Sequence, residues 1–479
     1  MGGLRIVSLF SGAGGLDLGF VQAGYRVVFA NDVLESAAHT YSANFGLRFE
    51  TCGGRRVEAQ AYSVLACDVS LVHFGPLKEL EPDVVIGGPP CQDFSIVRGP
   101  EWDRRGIEVK RGRLYAHFVR ALAAIQPKAF LFENVPGLLS SNGGLAYKVI
   151  LEDLSNLGLR WRELRREVGN GPDGGVQGYH IIFSGVVDFS HFGVPQRRER
   201  LIIVGIRKDL VRGLGEVWDL RALFERRLRE AAGLFPRYPL TAMEAFEGRR
   251  LDELDAVYKD VMKKWEGVWD EVGTEVALRW KREVWDKLTF DAVRDYLALN
   301  GVAHGEEELE EAMRQHEMVL RELRYFGTPV SAVKPPDGTG EVPAEDPAVV
   351  ERMRRIPPGE NHEFVRGTAW EVEGRGISLI YRRLHPLRPA YTVVAYGGGG
   401  THGYHYDRDR ATLTLRERAK LQTFPDFFIF KGTKTQIRAQ IGEAVPPLAA
   451  KRLAQALAEV LTVLETSRGV SRGEVATEA

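Results

Sequence analysis

The sequence predicts an α/β protein: a doubly wound, mostly parallel sheet joined to a second, smaller domain that contains a helical insert. Three observations predict it. From Arg5 to Ile206 short apolar runs alternate with helical patterns, the signature of strands connected by covering helices. From about Asp209 the chain turns long, charged and helix-prone. From Ile377 it is again strand-like and Gly-rich, and it closes on a helical pattern at Pro447–Thr466.

The expected strands are Arg5–Phe10, Arg26–Ala30, Val84–Ile86, Ala129–Phe132, His180–Ser184 and Arg200–Ile206. A further apolar segment precedes Asp68. Leu114–Ile125 and Tyr147–Leu157 carry the helical repeat of apolar residues. Trp218–Arg229 and Asp252–Arg324 read as helical. Trp265 and Trp269 stand one turn apart and are expected to share a helix face. With Trp280 and Trp285 they read as the core of a helical subdomain. Gly305–Glu311 is acidic and reads as a solvated helix start, while Val333–Pro347 and Ile356–Asn361 are Pro/Gly-rich linkers. Ser467–Ala479 is polar and expected to fray.

Composition narrows the class. With 479 residues, 44% of them hydrophobic and 27% charged, the chain can bury a sizeable core, which argues against a disordered protein. It has no apolar run of membrane-spanning length. Its N-terminus lacks the flanks of a signal peptide. The three cysteines, Cys52, Cys67 and Cys91, suggest neither a disulfide framework nor a zinc site. Cys67 fits buried packing, and Cys52 has no evident role. A net charge of -1 does not announce nucleic-acid binding, so any basic face must be local. Val211–Arg375 has roughly nine more acids than bases, which disfavours most of its surface as a phosphate-binding face.

In a doubly wound sheet, ligands sit beyond the carboxyl ends of the strands. Four segments occupy that edge. The first, Phe10-Ser11-Gly12-Ala13-Gly14-Gly15-Leu16-Asp17, is a Gly-rich turn into a helix, suited to close backbone approach to a ligand. Asp32 after the second strand could hold ribose hydroxyls, and Asp68 could accept from an adenine amino group. The plainer reading is a structural turn with two N-caps. The second segment, Gly87-Gly88-Pro89-Pro90-Cys91-Gln92, presents a thiol from a stiff Pro-Pro stretch. A lone cysteine is more often packing than nucleophile, and a nucleophilic one needs activation. The third, Glu133-Asn134-Val135, places a carboxyl group where desolvation is costly unless it has a partner. The fourth is Gln196-Arg197-Arg198-Glu199-Arg200. Read as a strand, it points Arg198 and Arg200 to one face; the alternative is an exposed basic edge.

In order and spacing these segments resemble the DNA (cytosine-5-)-methyltransferases of the prokaryotic restriction-modification type. The resemblance continues in Arg388-Pro389-Ala390-Tyr391-Thr392-Val393, in the Arg-Glu helix Leu415–Pro425, and in Ile441-Gly442-Glu443-Ala444-Val445-Pro446. Ile356–Asn361 and Tyr381–Leu384 are also similar to bacterial and archaeal members. The matching blocks are roughly Arg5–Ile206 and Ile356–Leu457.

The resemblance implies a Rossmann-like methyltransferase sheet and a target-recognition domain. It implies S-adenosyl-L-methionine-dependent methylation of carbon 5 of a cytosine flipped out of a specific duplex DNA sequence. Cys91 would add to carbon 6 as a thiolate. Glu133, at least partly protonated, would hydrogen-bond the base. Arg200, with Arg198, would fix base and nucleophile. Phe10 would stack on adenine, Gly12–Gly15 would line the methionine end, Asp32 would hold the ribose and Asp68 the adenine amino group. Ser11, Leu16, Val33, Val69, Pro90 and Val445 complete the implied cofactor pocket; no metal is implied. The Arg- and Lys-rich Asp93–Arg113 corresponds to the family's mobile catalytic loop, a basic patch suited to phosphates.

The domains implied are 1–208 for catalysis and cofactor binding and 209–385 for target recognition, with the insert at about 250–325. Residues 386–466 would end the recognition domain and return the chain to the large domain, leaving 467–479 as a flexible tail. A cytoplasmic, nucleoid-associated monomer is expected, without membrane contact and with a cognate restriction endonuclease as candidate partner. One departure stands out: Glu443 occupies the place of the family's Asn, which puts the junction held by that Asn in question. Val57–Ala66 and Gly169–Gly178 look like small insertions. An RNA cytosine methyltransferase of the same fold and a silent DNA-binding relative are the rivals. The first lacks support because its Cys-Phe-Thr signature is absent and the region between the two blocks is long. The second is opposed by the presence of Cys91, Glu133 and Arg200. A dinucleotide-dependent oxidoreductase would account only for the glycine turn and Asp32.

Overall fold

A computed structural model describes residues 3–90, 114–169, 171–211, 217–302, 305–372, 380–397 and 400–477. The chain forms two compact units. Unit one takes Met1–Asp188, Glu199–Ala231 and Ala449–Ala479; unit two takes Phe189–Arg198 and Ala232–Leu448. These limits differ from the sequence expectation. The helix Val217–Ala232 falls almost wholly to unit one, and 386–448 stays in unit two.

Among the described residues unit one has ten strands: β1 (Arg5–Leu9), β2 (Arg26–Asp32), β3 (Arg48–Thr51), β4 (Val57–Glu58), β5 (Ser63–Ala66), β6 (Val72–His73), β7 (Val84–Gly87), β8 (Ala129–Asn134), β9 (Tyr179–Asp188) and β10 (Glu199–Arg207). Eight of them make one sheet in the order β3-β5-β2-β1-β7-β8-β10-β9, and β4 pairs with β6 apart from it. The sheet is parallel from β3 to β8. β10 runs antiparallel to both β8 and β9. The inner strands β5 and β7 are buried along their whole length, as expected where helices cover both faces. Phe118, Phe130 and Phe132 pack edge to face beneath the sheet.

The last helix, Pro447–Thr477, belongs to unit one from Ala449 onward. The Tyr25 hydroxyl donates to the Ala454 carbonyl at 3.0 Å. Lys128 bridges Asp83 and Glu465, and Arg227 grips Glu459. The tail expected to fray is helical as far as Thr477. Its polar composition suggested fraying, yet no proline interrupts, and extending an existing helix costs far less than nucleating one.

A further correction comes from pairing. Cys52 and Cys67 form a disulfide with Cα atoms 5.5 Å apart. β3 and β5 are parallel neighbours with Thr51 opposite Ala66, so the next residue on each strand is a cysteine. Composition cannot reveal that register. Disulfides inside cells are a feature of hyperthermophile proteins in particular.

In unit two, Asp252–Arg324 is not one long helical stretch. It breaks into helices Asp255–Lys263, Val268–Val272, Glu275–Glu283, Ala292–Asn300 and Glu306–Glu322. Gly267 and Gly273, with φ of 80° and 66°, supply left-handed ends that other residues adopt only with strain. Trp265 therefore lies in a turn and Trp269 on the next helix, not on one shared face. They are core residues even so: Trp265, Trp269 and Trp280 are buried with Phe364, Tyr381 and Tyr404, and Trp285 packs on them. Arg383 organises the segment beside them. Fully buried, it donates to the carbonyls of Ile356 (2.6 Å), Asp407 (2.8 Å), Arg410 (2.9 Å), Met353 and His405. Its guanidinium also lies 4.6 Å over the Trp265 ring.

Candidate active site

The sheet of unit one brings the motif residues to a single edge. β1 ends at Leu9, and Phe10 turns the chain with φ of 54°. Gly14 closes the turn by donating to the Ser11 carbonyl at 2.9 Å. A Cβ on Gly14 would stand 2.5 Å from the Phe45 ring, whereas one on Gly12 would meet nothing within 4 Å. The turn is thus packed on its inner side and open at Gly12. Ala13, Gly15 and Leu16 are buried at the start of the helix Gly15–Gln22. Asp17 is buried with them and accepts from the Tyr41 hydroxyl at 2.7 Å; burial raises its pKa to about 6.

Asp32 is the last residue of β2. Its Oδ2 accepts from the Gly12 amide and its Oδ1 from the Leu34 amide, each at 2.8 Å, so it braces the glycine turn. Burial pushes its pKa up against those hydrogen bonds. Beside it Val33 and Leu34 are 66% and 42% exposed, an apolar ledge next to a carboxylate. Asp68 follows β5, exposed, and caps Val69–Leu71 by accepting from the Ser70 amide at 2.8 Å. Val69 beneath it is buried. Arg120 secures this turn with 2.7 Å hydrogen bonds to the carbonyls of Val69 and Val72. An open glycine turn, a strand-end carboxylate, an apolar ledge and a second carboxylate suit an adenosine-containing cofactor.

β7 leads to Gly88, Pro89 and Pro90. Cys91, and the basic segment after it to Arg113, lie outside the described residues. The segment leading to Cys91 is held from β8. Asn134, 4% exposed, donates to the Pro89 carbonyl at 2.9 Å and accepts from the Val135 amide at 2.9 Å. A Cβ on Gly88 would stand 2.5 Å from Glu133 Oε2, so only glycine lets that carboxylate approach. Arg200 Nε is 2.9 Å from Glu133 Oε1, with both side chains mostly shielded from solvent. β10 is antiparallel to β8, pairing Leu201 with Asn134, and this puts its first residues at the carboxyl edge.

Two expected site residues, Arg198 and Val445, fall in unit two. Arg198 precedes β10 instead of continuing it, so it does not share a face with Arg200. It belongs to unit two, 1% exposed, and donates to the carbonyls of Val393 (3.2 Å) and Gly442 (2.8 Å). Its placement is that of a structural brace, a correction to the expected catalytic role. Val445 is buried in unit two. Glu443, the departure from the family's Asn, ends the helix Lys434–Glu443 and is exposed. The backbone around it is held from elsewhere in unit two: Gln422 donates to the carbonyls of Ile441 and Ala444, and Arg198 to that of Gly442. Sequence reasoning missed Asn134, Gly88 and Arg120. The first two lie inside recognised motifs, which was their only signal.

A sheet of this order, with a Glu–Arg pair and a glycine turn on one edge, defines a methyltransferase of the α/β class. The chain matches the family model for C-5 cytosine-specific DNA methylases over residues 4–232 and 347–459, and it belongs to that family. It transfers a methyl group from S-adenosylmethionine to carbon 5 of cytosine in DNA. It is 68% identical to the DNA (cytosine-5-)-methyltransferase M.ApeKI of Aeropyrum pernix, over 95% of this chain and 98% of that one. It is 30% identical to the type II methyltransferase M.BbvI of Brevibacillus brevis, over 95% of this chain and 91% of that one. Its fold matches a solved structure from an E. coli prophage, described as a DNA modification methyltransferase. The TM-score is 0.52 at 22% identity, covering 96% of this chain and 99% of that one.

Proposed function

We propose that the chain methylates a cytosine flipped out of a specific duplex DNA site, with Cys91 as nucleophile and Glu133 and Arg200 at the base. The observation that carries this reading is the shielded Glu133–Arg200 pair, 2.9 Å apart beside the Gly88–Pro90 segment that leads to Cys91. A carboxyl group held there can hydrogen-bond the ring nitrogen and amino group of cytosine, stabilising the charge that develops when carbon 6 is attacked. The Cys91 thiolate forms a bond to carbon 6, and the displaced electron pair makes carbon 5 nucleophilic. S-adenosylmethionine, when bound, supplies an electrophilic methyl group. Loss of the carbon-5 proton then expels the Cys91 thiolate and restores the aromatic ring. Arg200 orients Glu133. Phe10, Ser11, Gly12–Leu16, Asp32, Val33, Asp68, Val69 and Pro90 form the cofactor side, with Asp32 toward the ribose and Asp68 toward the adenine.

Unit two is the target-recognition part, with the helical insert as its structural core. No helix among the described residues is long and apolar enough to cross a membrane. The kinship with type II methyltransferases supports a cytoplasmic modification enzyme accompanied by a cognate restriction endonuclease; a monomer remains part of the proposal.

The test is transfer of labelled methyl from S-adenosylmethionine to plasmid DNA and, in parallel, to total tRNA, with Cys91→Ala as control. The expected result is 5-methylcytosine in DNA alone, abolished by the substitution. Label confined to tRNA, or label that survives Cys91→Ala, overturns the reading.

A further inference from the structure

Unit two contains a cavity of about 730 Å³ whose wall includes four arginines, Arg197, Arg382, Arg388 and Arg418, and, among the described residues, no carboxylate. Tyr396, 61% exposed, stands at the same wall. The basic face that net charge conceals is therefore present here, in a unit whose helical insert is acidic.

Arg418 differs from the other three. It is 2% exposed. Its Nη1 is 3.3 Å from His402 Nδ1, while Arg438 Nη1 is 3.4 Å from Nε2 of the same ring. His402 Nε2 also lies 3.0 Å from the Gly397 carbonyl, so this nitrogen carries the proton and Nδ1 accepts from Arg418. The ring stays neutral: burial, then Arg418 and Arg438, pull its pKa down to about 4. Glu345 is the carboxylate whose charge acts on both guanidinium groups. Glu417, whose charge also acts on Arg418, is itself salt-bridged to Arg410. Arg418, Arg438 and Arg410 against Glu345 and Glu417, with the ring neutral, leave one positive charge uncompensated.

The unused donors show what this charge is shaped for. Among the described residues, Arg418 Nε and Nη2 and Arg438 Nε are buried without a hydrogen-bond acceptor. A buried donor left unpaired is costly, more so on a charged group. Nε and Nη2 form one edge of the planar guanidinium, the fork that grips two oxygens of a phosphate. Nη1, on the opposite side, is anchored on His402.

We propose that Arg418, backed by Arg438 and His402, is a phosphate-binding residue that takes one backbone phosphate of duplex DNA from this cavity. The contact adds affinity and fixes register without reading a base. It rests on the duplex-DNA reading above.

Binding of the full-length protein to a fluorescently labelled duplex oligonucleotide, over a series of KCl concentrations, tests it. Each neutralised phosphate contributes about 0.9 to the slope of log affinity against log salt. Arg418→Gln should flatten the slope by about that amount and weaken binding roughly tenfold at low salt, on all sequences alike. Arg418→Lys, which keeps the charge, should retain the slope. Glu345→Gln removes the offsetting carboxylate and should tighten binding several-fold, a gain that damage to the fold does not mimic. An Arg418→Gln protein with the wild-type slope overturns the proposal, whatever its affinity; so does a loss confined to particular sequences, which is base reading. Inorganic phosphate that stabilises wild type but not Arg418→Gln, with the DNA slope unchanged, marks a free-anion site and also overturns it. A wild-type protein that binds no duplex overturns both this proposal and the duplex reading; failure of the slope alone overturns only this one.

Discussion

Asn134 spends its side chain on backbone. By donating to the Pro89 carbonyl and accepting from the Val135 amide it ties the end of β8 to the segment before Cys91. A nucleophile displaced by about 1 Å can cost two orders of magnitude in rate. Asn134→Ala should therefore lower the single-turnover methyl-transfer rate about ten- to a hundredfold while leaving the dissociation constant of S-adenosylmethionine unchanged. Equal losses in both quantities would contradict this division. Asp32 should behave in the opposite way. It braces Gly12 and Leu34 and stands beside the exposed Val33, so Asp32→Ala should weaken cofactor binding roughly tenfold by calorimetry, since removing a charge-assisted acceptor costs on the order of 1.5–3 kcal/mol.

At the scale of elements, unit two is joined internally by buried polar contacts. His316, on Glu306–Glu322, is 1% exposed and meets Glu244 Oε1 at 2.9 Å through Nδ1 and the Tyr238 carbonyl at 2.9 Å through Nε2. Both neighbours are acceptors, which calls for an imidazolium with two donors. Burial opposes that charge, yet Glu244 and the hydrogen bonds prevail and the pKa is raised from 6.5. Because the folded pKa exceeds the unfolded one, the stabilisation is full below pH 6.5 and is lost as pH rises through the folded pKa. The thermal midpoint should thus fall as pH rises above 6.5. His316→Gln should abolish this decline and cost about 3–5 kcal/mol at the acid end, the range for breaking a buried pair. An undiminished decline in the variant would refute the assignment.

For the whole molecule, chain order and unit membership do not coincide. Unit one is completed by Ala449–Ala479, in which Leu453, Leu457, Val460, Leu461 and Leu464 are buried. Each such side chain contributes about 1.5–3 kcal/mol, so together they rival the net stability of a domain. A protein truncated after Leu448 should lose S-adenosylmethionine binding, although every cofactor-side residue of unit one remains. Supplying 449–479 as a separate peptide should restore it in part. Retained cofactor binding in the truncated protein would show that the helix is dispensable.

The sequence by itself determined the alternating strand–helix order, the glycine turn, the strand-end carboxylates Asp32, Asp68 and Glu133, the family, and hence the reaction. These are local or motif properties, written in periodicity and spacing. The tertiary structure decided whatever depends on register and on distant partners. Parallel pairing of β3 with β5 joins Cys52 to Cys67, and antiparallel β10 delivers Arg200 to Glu133. A strand that starts at Glu199 leaves Arg198 to brace carbonyls. Gly267 separates Trp265 from Trp269, and the two arginines that meet His402 come from different helices. Spacing along a chain fixes neighbours within an element. Which elements become neighbours is settled by burial of apolar surface over the whole fold, and that is where these pairings arise.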